Sequence, residues 1–242
     1  MTDPVDDTLK AQDPDRWLSS CFIDDPAARA DISAIYLLDN ELAAVASKAA
    51  NPLMGEIRFA WWREGLEAIR DGSALRSHPA LEALAPANSR GLIKIDPLLN
   101  ALDARYVELD STWFTDELAL DDYLDKLAGV TVAAFVRLDP TGDAGQVTAA
   151  GRLIAFSQLL RRGGSTRRPS WTPEAWSQAT DAEVAAHLRH KFDELATAAR
   201  AAPLLSAAAF PAVAHATLAL HPSAGPLARR LRLTWAVLRG RI

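Results

Sequence analysis

The chain has 242 residues, 49% hydrophobic and 24% charged, a soluble globular composition that excludes collagen-like and disordered chains. A single cysteine, Cys21, excludes a disulfide scaffold or Cys-based zinc finger and points to a reducing compartment. The net charge of −5 argues against a nucleic-acid binder, but it is unevenly spread: residues 1–150 carry 26 acids against 13 bases (−13), and residues 151–242 carry 5 against 13 (+8).

Residues 1–13 are acidic and polar, lack the positive start and apolar stretch of a secretory signal, and read as a flexible terminus. Alanine is abundant (47 residues in the chain), and beyond residue 13 apolar residues recur at helical spacing. The pattern predicts helices over 14–22, 26–48, 52–71, 79–86, 96–112, 120–138, 143–162, 181–200, 203–220 and 225–239. Asp24-Asp25-Pro26 and Asn51-Pro52 are helix starts, a capping side chain followed by a proline in the first turn. Asp71-Gly72-Ser73 closes one helix, and residues 139–143 form a turn. Residues 163–173 are one long irregular loop.

No segment alternates like a half-buried strand, so the expected fold is a single all-α domain over 1–242. No run of 18 apolar residues occurs. The alanine-rich stretch 201–220 is broken by Pro203, Ser206, Pro211 and His215 and reads as a buried helical hairpin. The expected setting is cytoplasmic, with room for peripheral membrane contact. The basic C-terminal third can face an anionic ligand, a membrane surface or the acidic half of its own fold.

Asp121-Asp122-Tyr123-Leu124-Asp125 spells Asp-Asp-x-x-Asp at a predicted helix start, where acids serve as caps and suit the dipole. Glu183, His187 and His190 share a helix face but lack a ligand elsewhere, and Arg189 and Lys191 crowd them with positive charge. Cys21 has no evident partner for nucleophilic chemistry and reads as a small buried apolar residue. Arg161, Arg162, Arg167 and Arg168 either form a metal-free anion pocket or favour a helix C-terminus and pair with acids. Phe59, Trp62, Leu66 and Ile69 form one stripe of the helix 52–71, the core reading, while Arg58, Trp61 and Trp62 are the alternative lining of a ligand tunnel or partner surface. No phosphate loop, Ser-His-Asp order or nucleotide fingerprint is present.

The segments Asp15–Phe22, Ile35–Ala43, Pro52–Arg58 and Trp61–Glu64 together resemble the squalene/phytoene synthase family, the head-to-head trans-prenyltransferases. The Trp-Trp-Arg helix after Pro-Leu-x-Gly-Glu-Ile looks most like the bacterial branch related to a mitochondrial complex I assembly factor. His78-Pro79, Asp103–Asp110, Tyr123–Gly129 and Phe156–Arg162 extend the likeness over most of residues 13–176. The resemblance implies an isoprenoid-synthase helical bundle, in which two facing aspartate motifs hold Mg²⁺ against the diphosphate of a prenyl donor.

Laid on that pattern, the first motif falls at Ala43–Ser47, on a face with Tyr36, Asn40, Ala43, Ala44 and Ser47. The second centres on Gln158 and Arg162, with Ala155 beside them. Neither face carries a carboxylate, so no metal ligands are assigned and no cofactor is expected. Candidate ligand-binding residues are Tyr36, Asn40, Arg58, Trp62, Gln158, Arg161 and Arg162. Two functional readings result. The first is a non-catalytic protein that binds an isoprenoid, a prenyl diphosphate or a partner protein. The second is an active prenyltransferase with displaced carboxylates, for which Asp39, Asp103 and Asp110 are the candidates and Mg²⁺ the cofactor. A helical scaffold without ligand is a third.

Overall fold

The computed structural model of the chain describes residues 4–73, 77–162, 169–222 and 224–242, and among them there is no strand. The helices, in chain order, are α1 (Pro4–Gln12), α2 (Pro14–Ser20), α3 (Pro26–Lys48), α4 (Pro52–Asp71), α5 (Pro79–Ser89), α6 (Asp96–Ala104), α7 (Glu117–Leu138), α8 (Gly145–Arg162), α9 (Asp181–Ala201), α10 (Ala216–Ala219) and α11 (Pro226–Arg239). Short 3₁₀ turns occupy Arg105–Leu109, Glu174–Trp176 and Phe210–Ala212.

The starts obey the capping rules. Asp13, Asp25 and Asn51 each accept a backbone N–H of the first turn they precede, and a proline follows each of them. His78 caps α5 through Nδ1, which accepts from the Ala80 N–H at 3.2 Å. Thr180 and Glu183 form a capping box on α9.

α3 is the axis of the bundle. Every residue from Asp31 to Asp39 is buried, so the helix meets protein all round. It packs against α1, α2, α4, α5 and α7. The most extensive contact is α7 against α8, where Gly151 brings the two backbones close: a Cβ there would lie 2.8 Å from Ala128 Cβ and 3.0 Å from its Cα. The core runs from Val5 and Leu9 in α1 to Leu233 and Ala236 in α11. No helix among the described residues is long and apolar enough to cross a membrane.

Four expectations are corrected. Residues 4–12 are a helix rather than a flexible tail: Val5 and Leu9 are buried, and Asp6 accepts from Trp17 Nε1 at 2.9 Å and Arg29 Nη2 at 3.0 Å. The helix expected over 96–112 ends at Ala104 and tightens into a 3₁₀ turn that carries Arg105 and Glu108 inward. The helix expected over 203–220, within a hairpin over 201–220, is instead a run of turns ending in one turn of helix. Pro203 and Pro211 each lack a donor N–H and clash with the preceding turn. The stretch 209–219 is nonetheless buried. α7 begins three residues before the expected start, because Asp116 takes the cap and accepts from the Ala119 N–H at 2.9 Å. Of the loop over 163–173, residues 163–168, with Arg167 and Arg168, lie outside the described residues. Trp171 is buried against Phe156.

Gly151→Val should lower the unfolding free energy by about 1–3 kcal/mol, because the branched side chain meets Ala128 backbone as well as its methyl. Urea denaturation of the purified variant measures it.

Candidate functional site

A chain of charged groups runs through the interior where α2, α3, α8 and the 3₁₀ turn after α6 meet. Arg16 of α2, 2% exposed, donates from Nη1 to Asp39 Oδ2 at 2.7 Å. Arg105, fully buried, donates from Nη2 to Asp39 Oδ1 at 2.6 Å and from Nη1 to Glu108 Oε1 at 2.9 Å. The Tyr123 hydroxyl donates to the same Glu108 oxygen at 2.6 Å, and Arg162 Nη1 donates to Glu108 Oε2 at 2.8 Å. Both oxygens of both carboxylates are engaged. Asp13 Oδ2 also stands 3.9 Å from Arg16 Nε, so three guanidiniums face three carboxylates.

Burial alone would raise the Asp39 carboxyl, but Arg105 and Arg16 outweigh it and hold the group well below the usual carboxylate range. Burial would likewise lower Arg105, and Asp39 and Glu108 reverse that and raise it. The Tyr123 hydroxyl is pushed up by burial and by Glu108, so it stays a donor.

Above this set lies a cleft of about 430 Å³ lined by Gln12, Asp13, Pro14, Asp15, Asn40, Ala43, Gln158, Arg161 and Arg162. Gln158, its amide oxygen turned to Arg16, accepts from both terminal nitrogens at 3.1 Å. Asn40 Nδ2 is buried without an acceptor. Arg161 is exposed; partial desolvation, together with Arg16 and Arg229, lowers its pKa despite Asp13 and Asp15. Asp15 is held by a fork from Arg229 of α11, with Arg229 Nε at 3.0 Å from Oδ1. Behind Arg16, the Tyr36 ring lies 4.9 Å beneath its guanidinium, and the Tyr36 hydroxyl donates to the Ala212 carbonyl at 3.1 Å. His215 packs edge-on against Tyr36 with both ring nitrogens unpartnered.

The fold thus brings together four of the seven expected ligand-binding residues: Asn40, Gln158, Arg161 and Arg162 line one cleft. Tyr36 lies beneath it. Arg58 is exposed on α4, and Trp62 is 6% exposed in the core, packed on His78 at 4.6 Å. Both stand on a different helix from the cleft residues. The expected carboxylates do not gather either. Asp39 is buried in the ion-pair set, Asp103 is partly exposed and paired with Arg63, and Asp110 is exposed. Among the described residues no group of three His, Cys, Asp or Glu side chains is placed to hold a metal.

Other readings change as well. Asp121 and Asp125 are not caps. Asp121 accepts from Arg152 Nη2 at 2.6 Å and Lys191 Nζ at 3.2 Å, and Asp125 pairs with Arg152 at 3.2 Å, so the acidic run ties α7 to α8 and α9. His187 stacks on Trp176 at 4.8 Å, and Glu183 is committed to the cap. Cys21 is exposed rather than buried.

Sequence reading passed over Arg16, Arg105, Glu108, Tyr123, His215, Asp13 and Asp15. Arg105 and Glu108 had a readable signal: they stand three apart, at the end of a segment whose Leu98, Leu99, Ala101 and Leu102 are all core.

With this geometry in hand, the chain was compared with known proteins. The family model described as squalene/phytoene synthase matches residues 9–238. The chain belongs to the squalene/phytoene synthase family. A crystal structure of a dehydrosqualene synthase in complex with ligand superposes with a TM-score of 0.71 at 13% identity, over 97% of this chain and 94% of that one, a likeness of fold. The all-α fold is therefore of the isoprenoid-synthase type. No curated protein matches the chain.

The residues of the cleft do not suit the magnesium cluster that the family resemblance implies. A hard divalent ion needs several carboxylate oxygens. The facing positions supply Asn40, Ala43, Gln158, Arg161 and Arg162, the nearby Asp39 and Glu108 are saturated by arginines, Asp15 is held by Arg229, and Asp13 caps α2 and lies 3.9 Å from Arg16 Nε.

Asp39→Asn should cost about 3–5 kcal/mol, since Arg16 and Arg105 are left as buried charges with a weaker acceptor; chemical denaturation reads it. The ring of His215 is driven well below its ordinary pKa by burial and by Arg16 and Arg161. A histidine depressed in the folded state takes its proton first in the unfolded chain, so stability is full above the unfolded pKa near 6.5 and falls below it. Between pH 7.5 and 5.5 the wild type should lose about 1.4 kcal/mol more than His215→Phe. Equal losses in urea titrations at the two pH values would remove that assignment.

Proposed function

We propose that this chain is a non-catalytic member of its family that acts by binding an anionic ligand, the diphosphate head of an isoprenoid, in the cleft between α3 and α8. The observation that carries the reading is the saturation of Asp39 and Glu108 by Arg16, Arg105 and Arg162. Ionising a prenyl diphosphate leaves several negative charges on the departing group, which clamped divalent cations neutralise. Here the carboxylates that could clamp them are spent on the protein's own guanidiniums.

What remains at the cleft suits holding an anion rather than breaking its bond. Arg161 presents a forked donor, and Asn40 Nδ2 is a buried donor lacking an acceptor. A protein partner presenting an acidic side chain to the same donors is the other form of this reading. It accords with the likeness of the Pro52–Glu64 segment to the branch containing a respiratory-complex assembly factor. The transferase reading would need Asp39 to give up both arginines and Asp103 and Asp110 to move in from the surface.

Incubation of the purified protein with Mg²⁺ and C15 or C20 prenyl diphosphate should release no diphosphate above the no-enzyme control, and turnover abolished by chelation would overturn the reading. In the presence of a chelator, inorganic diphosphate should raise the melting temperature, and Arg161→Ala should weaken that effect by about tenfold in ligand concentration.

A further inference from the structure

Among the described residues, one face of α11 is left uncovered. Its inward face is narrow: Leu233 and Ala236 are buried and Arg229 pairs with Asp15. Its outward face carries Leu227, Leu231, Trp235 and Leu238, which are 72%, 63%, 56% and 75% exposed. At about 100° per residue these four fall within an arc of roughly 80° and form one continuous stripe. At about 1.5 Å per residue the stripe is roughly 16 Å long.

Arginines border it on both sides. On the same wheel Arg230 falls on one flank, and Arg232 and Arg239 on the other, with Arg241 just past the helix end. Arg239 sits over the Trp235 ring at 4.4 Å. Among the described residues no carboxylate forms an ion pair with Arg230, Arg232, Arg239 or Arg241, whereas Arg152, Arg162, Lys191 and Arg229 each pair with acids of the first half. From residue 195 to the end the sequence has six arginines and no acid.

We propose that α11 docks the protein on the surface of an anionic phospholipid bilayer, lying in the interface with the stripe buried among the acyl chains and the arginines on the phosphates. An in-plane amphipathic helix combines these elements: a narrow apolar face, a tryptophan at the boundary, and basic residues along the flanks. The helix is too short to span a bilayer. A second copy of the chain is the poorer occupant, because a two-fold pairing of stripes sets arginines against arginines with no acid to separate them. The inference is independent of the cleft and of any ligand bound there.

The test is flotation of the full-length protein with vesicles of phosphatidylcholine alone or with about a third phosphatidylglycerol. Wild type should float with the anionic vesicles. Binding should fall about tenfold or more on neutral vesicles and at high salt. The double variant Leu231→Asp/Leu238→Asp alters only exposed side chains. It should keep the wild-type melting curve and diphosphate response while losing vesicle binding. Wild type that stays in solution with anionic vesicles, or a double variant that floats equally well, overturns the proposal. Gel filtration then identifies the occupant: a dimer that Leu231→Asp dissociates points to a second copy, and a monomer to an acidic groove on another protein.

Discussion

Asp39 and Arg105 are in direct contact at 2.6 Å inside the bundle and have a second partner each, Arg16 on one side and Glu108 on the other. Taking such charges out of water costs several kcal/mol per ion, and the cost is offset only if geometry and hydrogen bonding are nearly complete. Here the acceptors are complete, every carboxylate oxygen having a donor at 2.9 Å or less, while Arg16 Nε and Arg105 Nε are buried without a hydrogen-bond partner. The arrangement commits α2, α3, the turn after α6, α7 and α8 to one relative placement, because displacing any of them strands a charge. A greasy interior of equal volume would tolerate small shifts; this one does not.

The same constraint shapes the cleft. Arg162 reaches Glu108 from the end of α8 and Arg16 reaches Gln158 from α2, so paired ions form its floor. Amides, a methyl group and guanidiniums from α3 and α8 face Asp13 and Asp15 across it.

The sequence made the helices of the first half legible because capping is local: Asp25-Pro26 and Asn51-Pro52 mark α3 and α4 to the residue. It was less informative where tertiary structure overrides a local pattern. Residues 4–12 look solvent-loving by composition, yet two side chains, Val5 and Leu9, suffice to seat the helix. The alanine-rich stretch before α11 has helical propensity throughout, but Pro203 and Pro211 forbid continuous helix and the burial survives without it. At the site, the family likeness aligned Asn40 and Ala43 with Gln158 and Arg162 across the cleft, since helical periodicity fixes which residues share a face. It could not find Arg16 or Glu108. Pairing across 23 or 54 residues of chain leaves no periodic trace, and a buried arginine reads like any other charge on an amphipathic helix.

The fork between Asp15 and Arg229 spans almost the whole chain, from the lip of the cleft to the C-terminal helix. One carboxylate therefore serves two places at once, cancelling its own charge at the entrance while it moors the last helix. Any truncation that removes residues from 226 onward would unmask that carboxylate and turn the entrance more acidic, so the electrostatic character of the opening is set by the tail of the polypeptide as much as by the groups that face it.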